Sequence, residues 1–328
     1  MGDYPRYADL PRSPKTGMPS AWGVWGDADE LGSLNHITDE TALRAAALVR
    51  RGRRFNLDLP LHVPYGEILP PPEPGKMGFR SRRVYEPTLF TRDDGDLIAR
   101  DDKLDNFFPQ ASTQWDSLCH YGDIDHRFYN GVTEEQITHG PGGRNGIHNM
   151  AEFGIVTRAV LADMVRYYAD RGQAYDPVNE YVVTPDDLLA CLRQQGVTLR
   201  PGDVLLVRLG WLALFLSTAG AAARDALFHS WRCSGLSGQE DMWEFLWDQR
   251  IAAVATDNVT VEVFPRTPRK PCLHLALPHL GMTLGELFYL EALADDCAQD
   301  GHYDCMLTSS PLNLRGGVGS PANAIAIK

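Results

Sequence analysis

The chain has 328 residues, 44% of them hydrophobic, which is enough to build a substantial core in one large domain or two small ones. Its 31 Lys and Arg against 43 Asp and Glu give a net charge of −12. This acidic balance argues against nucleic acid and anionic membrane surfaces as partners, because both select clustered basic residues. No stretch approaches the roughly 18 consecutive apolar residues of a membrane-spanning helix.

The cysteines and the first residues indicate a reducing compartment. The opening stretch MGDYPRYADLPRS has no apolar segment of the kind found in a secretory signal. None of the six cysteines belongs to a C-x-x-C pair; they are Cys119, Cys191, Cys233, Cys272, Cys297 and Cys305. Free thiols are therefore expected, and we predict a cytoplasmic protein.

The first part of the chain is predicted to contain an arm, a helix, a strand and a loop. Residues 1–37 show no regular pattern and form an N-terminal arm, which we expect to pack on a partner subunit. A helix is predicted from Thr38 to Val49, because it has a capping residue at its start and apolar residues at helical spacing. Residues 53–63 alternate like a strand. Residues 64–78 are rich in proline and glycine, which predicts a long surface loop.

Strands and helices alternate through the rest of the chain. The clearest helix has Thr184 as its cap, Pro185 at its first position and Gly196 at its end. A glycine-rich loop is predicted at 138–150 and a second helix at 283–301. Further strands are predicted at 154–165, 200–211, 251–258, 303–314 and 323–328. With no linker between these elements, the sequence predicts a single α/β domain with a mixed sheet over residues 38–328.

Two groups of residues could bind a metal or move protons. The first is Asp116 with His120, in the segment QWDSLCH. The second is LHLALPHLGMTLGE, in which His274 is predicted in a loop and Glu286 on the helix that follows it. Carboxylate and imidazole ligands together suit Zn²⁺ or Mn²⁺. Spacing alone leaves open a second interpretation. In it the histidine is a buried residue with ordinary hydrogen bonds, and the glutamate is stabilised in the first turn of a helix by the helix dipole.

Several segments, in this order and spacing, carry a resemblance to a known family. They are WGDADELGSLNHIT, GIVTRAVLADM, RPGDVLLVRLGW, LHLALPHLGMTLGELFYLEAL and PLNLRGGVGSPANAIAI. Together they resemble the cyclase family of hydrolases, which includes bacterial kynurenine formamidase and isatin hydrolase. The resemblance implies a swivelling β/β/α-type fold, assembled as a homodimer or homotetramer with the arm exchanged. It also implies a small-molecule substrate.

The hallmark of that family is H-x-x-x-H-x-D-x-x-x-H. Its first two histidines and the aspartate bind one metal, and its last histidine is the acid/base. On this chain the aspartate falls on Asp116 and the last histidine on His120, whereas Gln110 and Gln114 stand at the first two positions. Glutamine supplies a carbonyl oxygen or an amide donor in place of an imidazole nitrogen, which weakens the first metal position.

A second metal position is better matched. In two-metal members of the family the aspartate also joins a later histidine and glutamate twelve residues apart, and His274 and Glu286 have that separation. The resemblance thus implies one divalent cation, zinc or manganese, held by Asp116, His274 and Glu286. Two alternatives stay open: a metal-free site in which these groups bond to one another, and a two-metal site that uses Gln114 as a ligand.

The resemblance implies an arylformamidase-like hydrolase that acts on an amide, lactam or ester bond of a small aromatic molecule. His120 would be its acid/base and Gln114 an oxyanion donor. Trp115, Trp22 and Trp25 are the candidate packing surfaces for the substrate. One alternative is a cyclase or dehydratase of a biosynthetic intermediate, which needs no metal. Another is a catalytically silent binding protein.

Overall fold

A computed structural model describes residues 4–14, 17–64, 67, 86–93, 95, 97–105, 107–265 and 272–328. Most of the loop predicted at 64–78 lies outside these ranges. The strands are β1 Arg54–Asn56, β2 Glu86–Asp93, β3 Ile98–Asp105, β4 Gln114–Asp116, β5 Ile155–Asp163, β6 Val182–Val183, β7 Val204–Arg208, β8 Gly235–Leu236, β9 Ala253–Thr256, β10 Thr283–Glu286, β11 Asp304–Ser309, β12 Gly319–Pro321 and β13 Ala324–Ile327.

The helices surround the sheet and are short. They are α1 Asp39–Ala46, α2 Ile147–Phe153, α3 Met164–Asp170, α4 Pro185–Gln194, α5 Trp211–Ser217, α6 Ala221–His229, α7 Glu240–Asp248, α8 Ala276–Leu280 and α9 Glu291–Asp300. Single 3₁₀ turns include Gly32–His36 and Leu273–Leu275. Within the described ranges, no helix has both the length and the apolar character needed to cross a membrane.

Nine strands form one mixed sheet in the order β1-β13-β11-β5-β7-β9-β10-β4-β12. The central strands β5, β7, β9 and β10 are parallel, and the strands on either side of them are antiparallel. The sheet is curled, so that strands far apart in this order meet: Trp115 on β4 donates its indole N–H to the Ser309 hydroxyl on β11 at 2.9 Å. The prediction of a single α/β domain with a mixed sheet is confirmed.

Both faces of the central strands are buried, as expected for parallel strands. On β5, Val160 packs into a core with α3, α4 and α7, while its neighbour Leu161 packs into a second core on the opposite face. Leu205 and Leu206 on β7 divide in the same way. The Val- and Leu-rich runs in the sequence are typical of such doubly buried strands, and the strands predicted there are confirmed.

The helix predicted after Thr184 is also confirmed. The Thr184 hydroxyl accepts the Asp187 backbone N–H at 3.2 Å, and the Asp187 carboxylate accepts the Thr184 N–H at 3.0 Å, so a reciprocal capping box begins α4. Thr38 caps α1 in the same manner with Thr41. That helix ends at Ala46, however, and not at Val49 as predicted.

Three predicted elements are wrong in part. Residues 283–301 do not form one helix: β10 comes first, pairs with both β9 and β4, and is followed by α9. Sheet pairing on both sides of β10 overrides the helical propensity of this segment. The loop predicted at 138–150 gives way to α2 at Ile147, and the strand predicted at 53–63 is limited to β1.

The N-terminal arm contacts α7 of its own chain. The Trp247 indole donates to the Pro5 carbonyl at 2.9 Å, and the Tyr7 backbone N–H donates to the Asp248 carboxylate at 2.8 Å. The Tyr4 ring stacks on Trp247 with 4.8 Å between ring centroids. These contacts fix the start of the arm against the body of the protein.

Candidate active site

Two antiparallel strands, β4 and β10, place the central side chains of the site. Gln114 lies opposite Glu286 in the strand register, and Trp115 lies opposite Gly285. Because side chains alternate along a strand, Gln114 and Asp116 share the face of Glu286, and Trp115 points to the other. A Cβ on Gly285 would lie 2.6 Å from the Trp115 ring, so the glycine makes room for the indole.

His274 completes this group from the 3₁₀ turn Leu273–Leu275. Its Nε2 lies 3.1 Å from Glu286 Oε1 and 3.8 Å from Asp116 Oδ2. One ligand atom from each of these three residues lies within 4.8 Å of the other two, and all three residues are buried. The structure thus brings together the three candidate metal ligands. It corrects their local setting, because Glu286 lies on a strand and not on a helix, and His274 lies in a 3₁₀ turn and not in a loop.

Glu262 is a site residue that the sequence analysis missed. Its Oε2 lies 2.7 Å from His274 Nδ1, and its side chain is buried, so the imidazole is held between Glu262 and Glu286. Burial on its own favours the neutral ring, but the two carboxylates outweigh it and raise the pKa of His274 well above its ordinary value. The available signal was a lone acidic residue in the apolar segment NVTVEVF, twelve residues before His274.

Gln110 links the aspartate to His120. Its amide nitrogen donates to Asp116 Oδ1 at 2.9 Å and lies 3.0 Å from His120 Nδ1. The amide has two hydrogens, so one serves each partner and Nδ1 acts as an acceptor. Neutral His120 therefore carries its proton on Nε2, which lies 3.7 Å from Asp116 Oδ1. Gly319, opposite Asp116 on β12, leaves the space for Gln110, since a Cβ there would lie 2.5 Å from its Cγ.

Gln114 is turned toward Glu286. Its amide nitrogen donates to Glu286 Oε2 at 2.6 Å, and the side chain is fully buried. This geometry suits a residue that positions Glu286 better than the oxyanion donor expected from the sequence. Gln114 Oε1 and Asp116 Oδ2 are buried and have no hydrogen-bond partner in the described structure. Buried oxygens without a donor are rare, and a cation beside them would satisfy them.

The three tryptophans expected to contact the substrate each pack against other parts of the protein. Trp115 is fully buried in the core, with its ring 4.8 Å from Phe288. Trp22 donates its indole N–H to the Pro278 carbonyl on α8 at 2.7 Å, and Trp25 packs 5.6 Å from Trp247. For Trp115 the correction is definite, because alternation along β4 directs its side chain away from Asp116.

Tyr121 is the aromatic side chain that the structure places at the site. Its ring centroid lies 5.4 Å from that of His120 and 5.1 Å from that of His274. Asp116 and His274 are almost inaccessible, whereas 17% of the His120 side chain is exposed. A ligand would therefore reach the carboxylates from the side of His120 and Tyr121.

Comparisons with known proteins agree with this architecture. The profile of a family described as "Putative cyclase" matches residues 57–263. A crystal structure described as a novel cyclase is 32% identical, with 94% of this chain and 99% of that chain covered and a TM-score of 0.80. Isatin hydrolase A from Ralstonia solanacearum is 17% identical, covers 89% of this chain and 98% of its own, and has a TM-score of 0.57.

Isatin hydrolase A from Labrenzia aggregata, in a structure bound to benzyl benzoate, resembles this chain about as closely as the Ralstonia solanacearum protein does. It is 17% identical, with 86% of this chain and 94% of that chain covered and a TM-score of 0.55. At 17% identity, the likeness of the two isatin hydrolases to this chain shows a common fold and nothing about activity. None of the curated proteins matches the chain.

Proposed function

This chain belongs to the cyclase family, and on that premise we propose that it is a hydrolase of an amide, lactam or ester bond in a small aromatic molecule. The observation that carries the proposal is the convergence of Asp116, His274 and Glu286 beside His120. Structural neighbours named as isatin hydrolases add support for lactam chemistry on this fold.

We propose that Asp116, His274 and Glu286 hold one divalent cation, zinc or manganese. The donor set fits, because imidazole and carboxylate groups both bind zinc and manganese, and Asp116 Oδ2 has no hydrogen-bond partner in the described structure. Such a cation, when bound, lowers the pKa of a water toward about 7 and polarises a carbonyl group. A second cation is not proposed, because Gln110 and Gln114 present amide hydrogens to Asp116 and Glu286.

Glu262 is proposed as a positioning residue for His274. By accepting the Nδ1–H, it leaves Nε2 free to face Asp116 and Glu286. A carboxylate behind a metal-binding histidine fixes the ring orientation and raises the basicity of the ligand nitrogen. The charge of Glu262 therefore favours cation binding at Nε2.

His120 is proposed to stabilise the leaving group through Nε2. Gln110 holds Nδ1 as an acceptor, so the neutral ring donates a hydrogen bond from Nε2 to the leaving nitrogen or oxygen. The proton that the leaving group takes up comes from the attacking water.

To act first as a base, the His120 ring would need its proton on Nδ1 and the Gln110 amide reversed. The reversed amide would turn its oxygen toward the Asp116 carboxylate, which is unfavourable. We therefore propose a hydrogen-bond donor in place of the acid/base role expected from the sequence.

A direct experiment measures turnover on an aromatic formamide, an aromatic lactam and an aryl ester. We expect one of these classes to be hydrolysed, and His120→Ala to lower kcat by roughly 10²- to 10³-fold, the usual cost of removing one hydrogen-bond donor to a developing charge. His126→Ala, at a histidine with 82% of its side chain exposed, is the matched control and should retain turnover. Full turnover by His120→Ala would contradict the assigned role.

A cyclase or dehydratase is the second candidate. It is favoured by the same amide contacts, since Gln110 and Gln114 satisfy one oxygen of each ligand carboxylate without a metal. His120 in its Nε2–H form would then donate a hydrogen bond to a leaving hydroxyl, which departs as water with the proton that the substrate loses. Reaction in isotopically labelled water separates the two candidates: hydrolysis incorporates the labelled oxygen into the product, and dehydration does not.

A further inference from the structure

A cleft of about 870 Å³, apart from the candidate active site, lies between the N-terminal arm, α1 and the turn before β7. Its volume is in the range of small-molecule sites. None of the residues that form the candidate active site line it. Its walls combine three aromatic side chains with three guanidinium groups: Tyr4, Trp25, His36, Arg44, Arg200 and Arg250.

The aromatic wall is fixed by ring contacts behind it. Tyr4 stacks on Trp247 at 4.8 Å with an interplanar angle of 24°, and Trp25 meets Trp247 edge-on at 5.6 Å. His36 meets Tyr4 edge-on at 4.7 Å and Trp25 at 5.4 Å. A wall built this way offers a planar ligand a preformed surface at little entropic cost.

The guanidinium groups come from three separate elements. Arg44 on α1 pairs with Glu40 at 2.9 Å, and Arg250 after α7 lies over the Tyr4 ring at 4.9 Å. In the described part of the chain, neither Arg200 nor Arg250 has a carboxylate within ion-pair distance. Two unpaired guanidinium groups at one cleft are notable in a chain of net charge −12.

Two polar atoms of the wall also have no hydrogen-bond partner. These are Tyr4 Oη and His36 Nε2, both buried within the described structure. Burial, and secondarily the charge of Arg250, lower the pKa of His36 to about 4, so the ring is neutral near pH 7 and can accept or donate a hydrogen bond.

From this arrangement we propose that the cleft is a binding site for a small planar aromatic carboxylate. The ring lies against Trp25, and the carboxylate pairs with Arg200 and with Arg250, which lies over the Tyr4 ring, in the bidentate geometry that guanidinium favours. An anion without a ring would leave the aromatic wall unused. A neutral ring would leave the guanidinium groups without a partner.

Calorimetric titration of the full chain with 2-naphthoate, 2-naphthamide and inorganic phosphate tests the proposal. We expect 2-naphthoate to bind at least about tenfold more tightly than either of the others, since each lacks one half of the recognition. Equal affinity for phosphate, equal affinity for the amide, or no binding of 2-naphthoate would overturn the proposal.

Variants locate the binding. Arg200→Gln and Arg250→Gln should each weaken the binding of 2-naphthoate by roughly tenfold, the effect of losing a charge-assisted hydrogen bond. Arg193→Gln, at an exposed arginine on α4, should leave the affinity unchanged. If Arg250→Gln lowers the thermal stability, Arg200→Gln still tests the proposal. Its substitution keeps the hydrogen bond to Asp203, which comes from the backbone N–H of residue 200. Affinity lost in His120→Ala but kept in both arginine variants would place the ligand in the active site and refute the proposal.

Discussion

Buried charges serve two different ends in this protein. Around β5 each buried guanidinium is matched by carboxylates: Arg158 binds Asp203 at 2.6 Å and Asp304 at 3.0 Å. Arg208 on β7 likewise binds Asp163 at 2.9 Å and Glu291 at 2.7 Å. In these networks each of the four carboxylates contacts a guanidinium group.

The candidate active site is built differently. In the described part of the chain, Asp116 and Glu286 contact no lysine or arginine; their partners are amides and imidazoles. One oxygen of Asp116 accepts no hydrogen bond from the described residues. Three buried carboxylates, those of Asp116, Glu262 and Glu286, share the single imidazole of His274. This excess of buried negative charge is costly and indicates a function beyond stability. The carboxylates around β5 thus have guanidinium partners, whereas the candidate active site carries uncompensated negative charge.

The largest expected effect comes from breaking the network around Arg158. Arg158→Met should lower the free energy of unfolding by about 3 to 5 kcal/mol, because it leaves the buried Asp203 charge unpaired. Asp116→Asn should cost less than about 1.5 kcal/mol, because it removes one of three carboxylates that share the single imidazole of His274. Chemical denaturation of both variants measures the contrast. Equal losses would show that the two regions do not differ as described.

The next effect concerns the residue behind His274. Glu262→Gln keeps the shape and an acceptor oxygen but removes the charge, and should weaken zinc or manganese binding by roughly 10- to 100-fold. Calorimetric titration with the metal gives this value without an activity assay. Glu240→Gln, at a partly exposed glutamate paired with Arg12, is the matched control. Unchanged affinity in Glu262→Gln would remove its positioning role.

A third kind of buried carboxylate is held by backbone amides. Asp257 accepts the N–H groups of Leu209 and Gly210 at 2.6 and 2.7 Å, and burial raises its pKa to about 7. Since the unfolded pKa is about 3.9, its stabilising contribution is complete below that pH and is lost as pH rises through about 7. The slope is at most about 1.4 kcal/mol per pH unit.

Urea unfolding between pH 4 and pH 7 measures this contribution. The fall in stability with rising pH should be shallower in Asp257→Asn than in the parent chain. Identical slopes would mean that another group dominates the pH dependence.

The smallest effect tests the contact between Gln110 and His120. Gly319→Ala would place a Cβ 2.5 Å from Gln110 Cγ and displace the amide, with an expected loss of roughly fivefold in kcat and a shifted pH–rate profile. Gly140→Ala is the control, since a Cβ there meets no atom within 4 Å. A profile that does not move would show that Gln110 does not set the proton position on His120.

Much of the fold was readable from the sequence, because local signals agreed with tertiary structure. The capping residues of α4 and the apolar runs of β5 and β7 predicted these elements correctly. The helix predicted at 283–301 was wrong over its first part, because β10 forms a strand by pairing with β4 and β9. Both partners are distant in the sequence, so no local signal indicates the pairing. Gly285 carried the clue, since a glycine within a helical pattern often marks a close approach instead.

The site was readable in the same measure. Asp116, His120, His274 and Glu286 were predicted as site residues because the family pattern fixes their spacing, and the structure brings them together. Glu262 and Tyr121 were missed, since each meets His274 from 12 and 153 residues away in the chain, respectively. Trp115 was misassigned because its neighbours in sequence are site residues, whereas strand alternation sends it to the core.

The central claim is that Asp116, His274 and Glu286 together bind one divalent cation. Calorimetric titration of chelator-treated protein with zinc or manganese tests it most directly, with Glu286→Gln as the paired variant. The account predicts one ion per chain, with affinity sharply reduced in the variant. Two ions per chain, no binding, or equal binding by Glu286→Gln would contradict it.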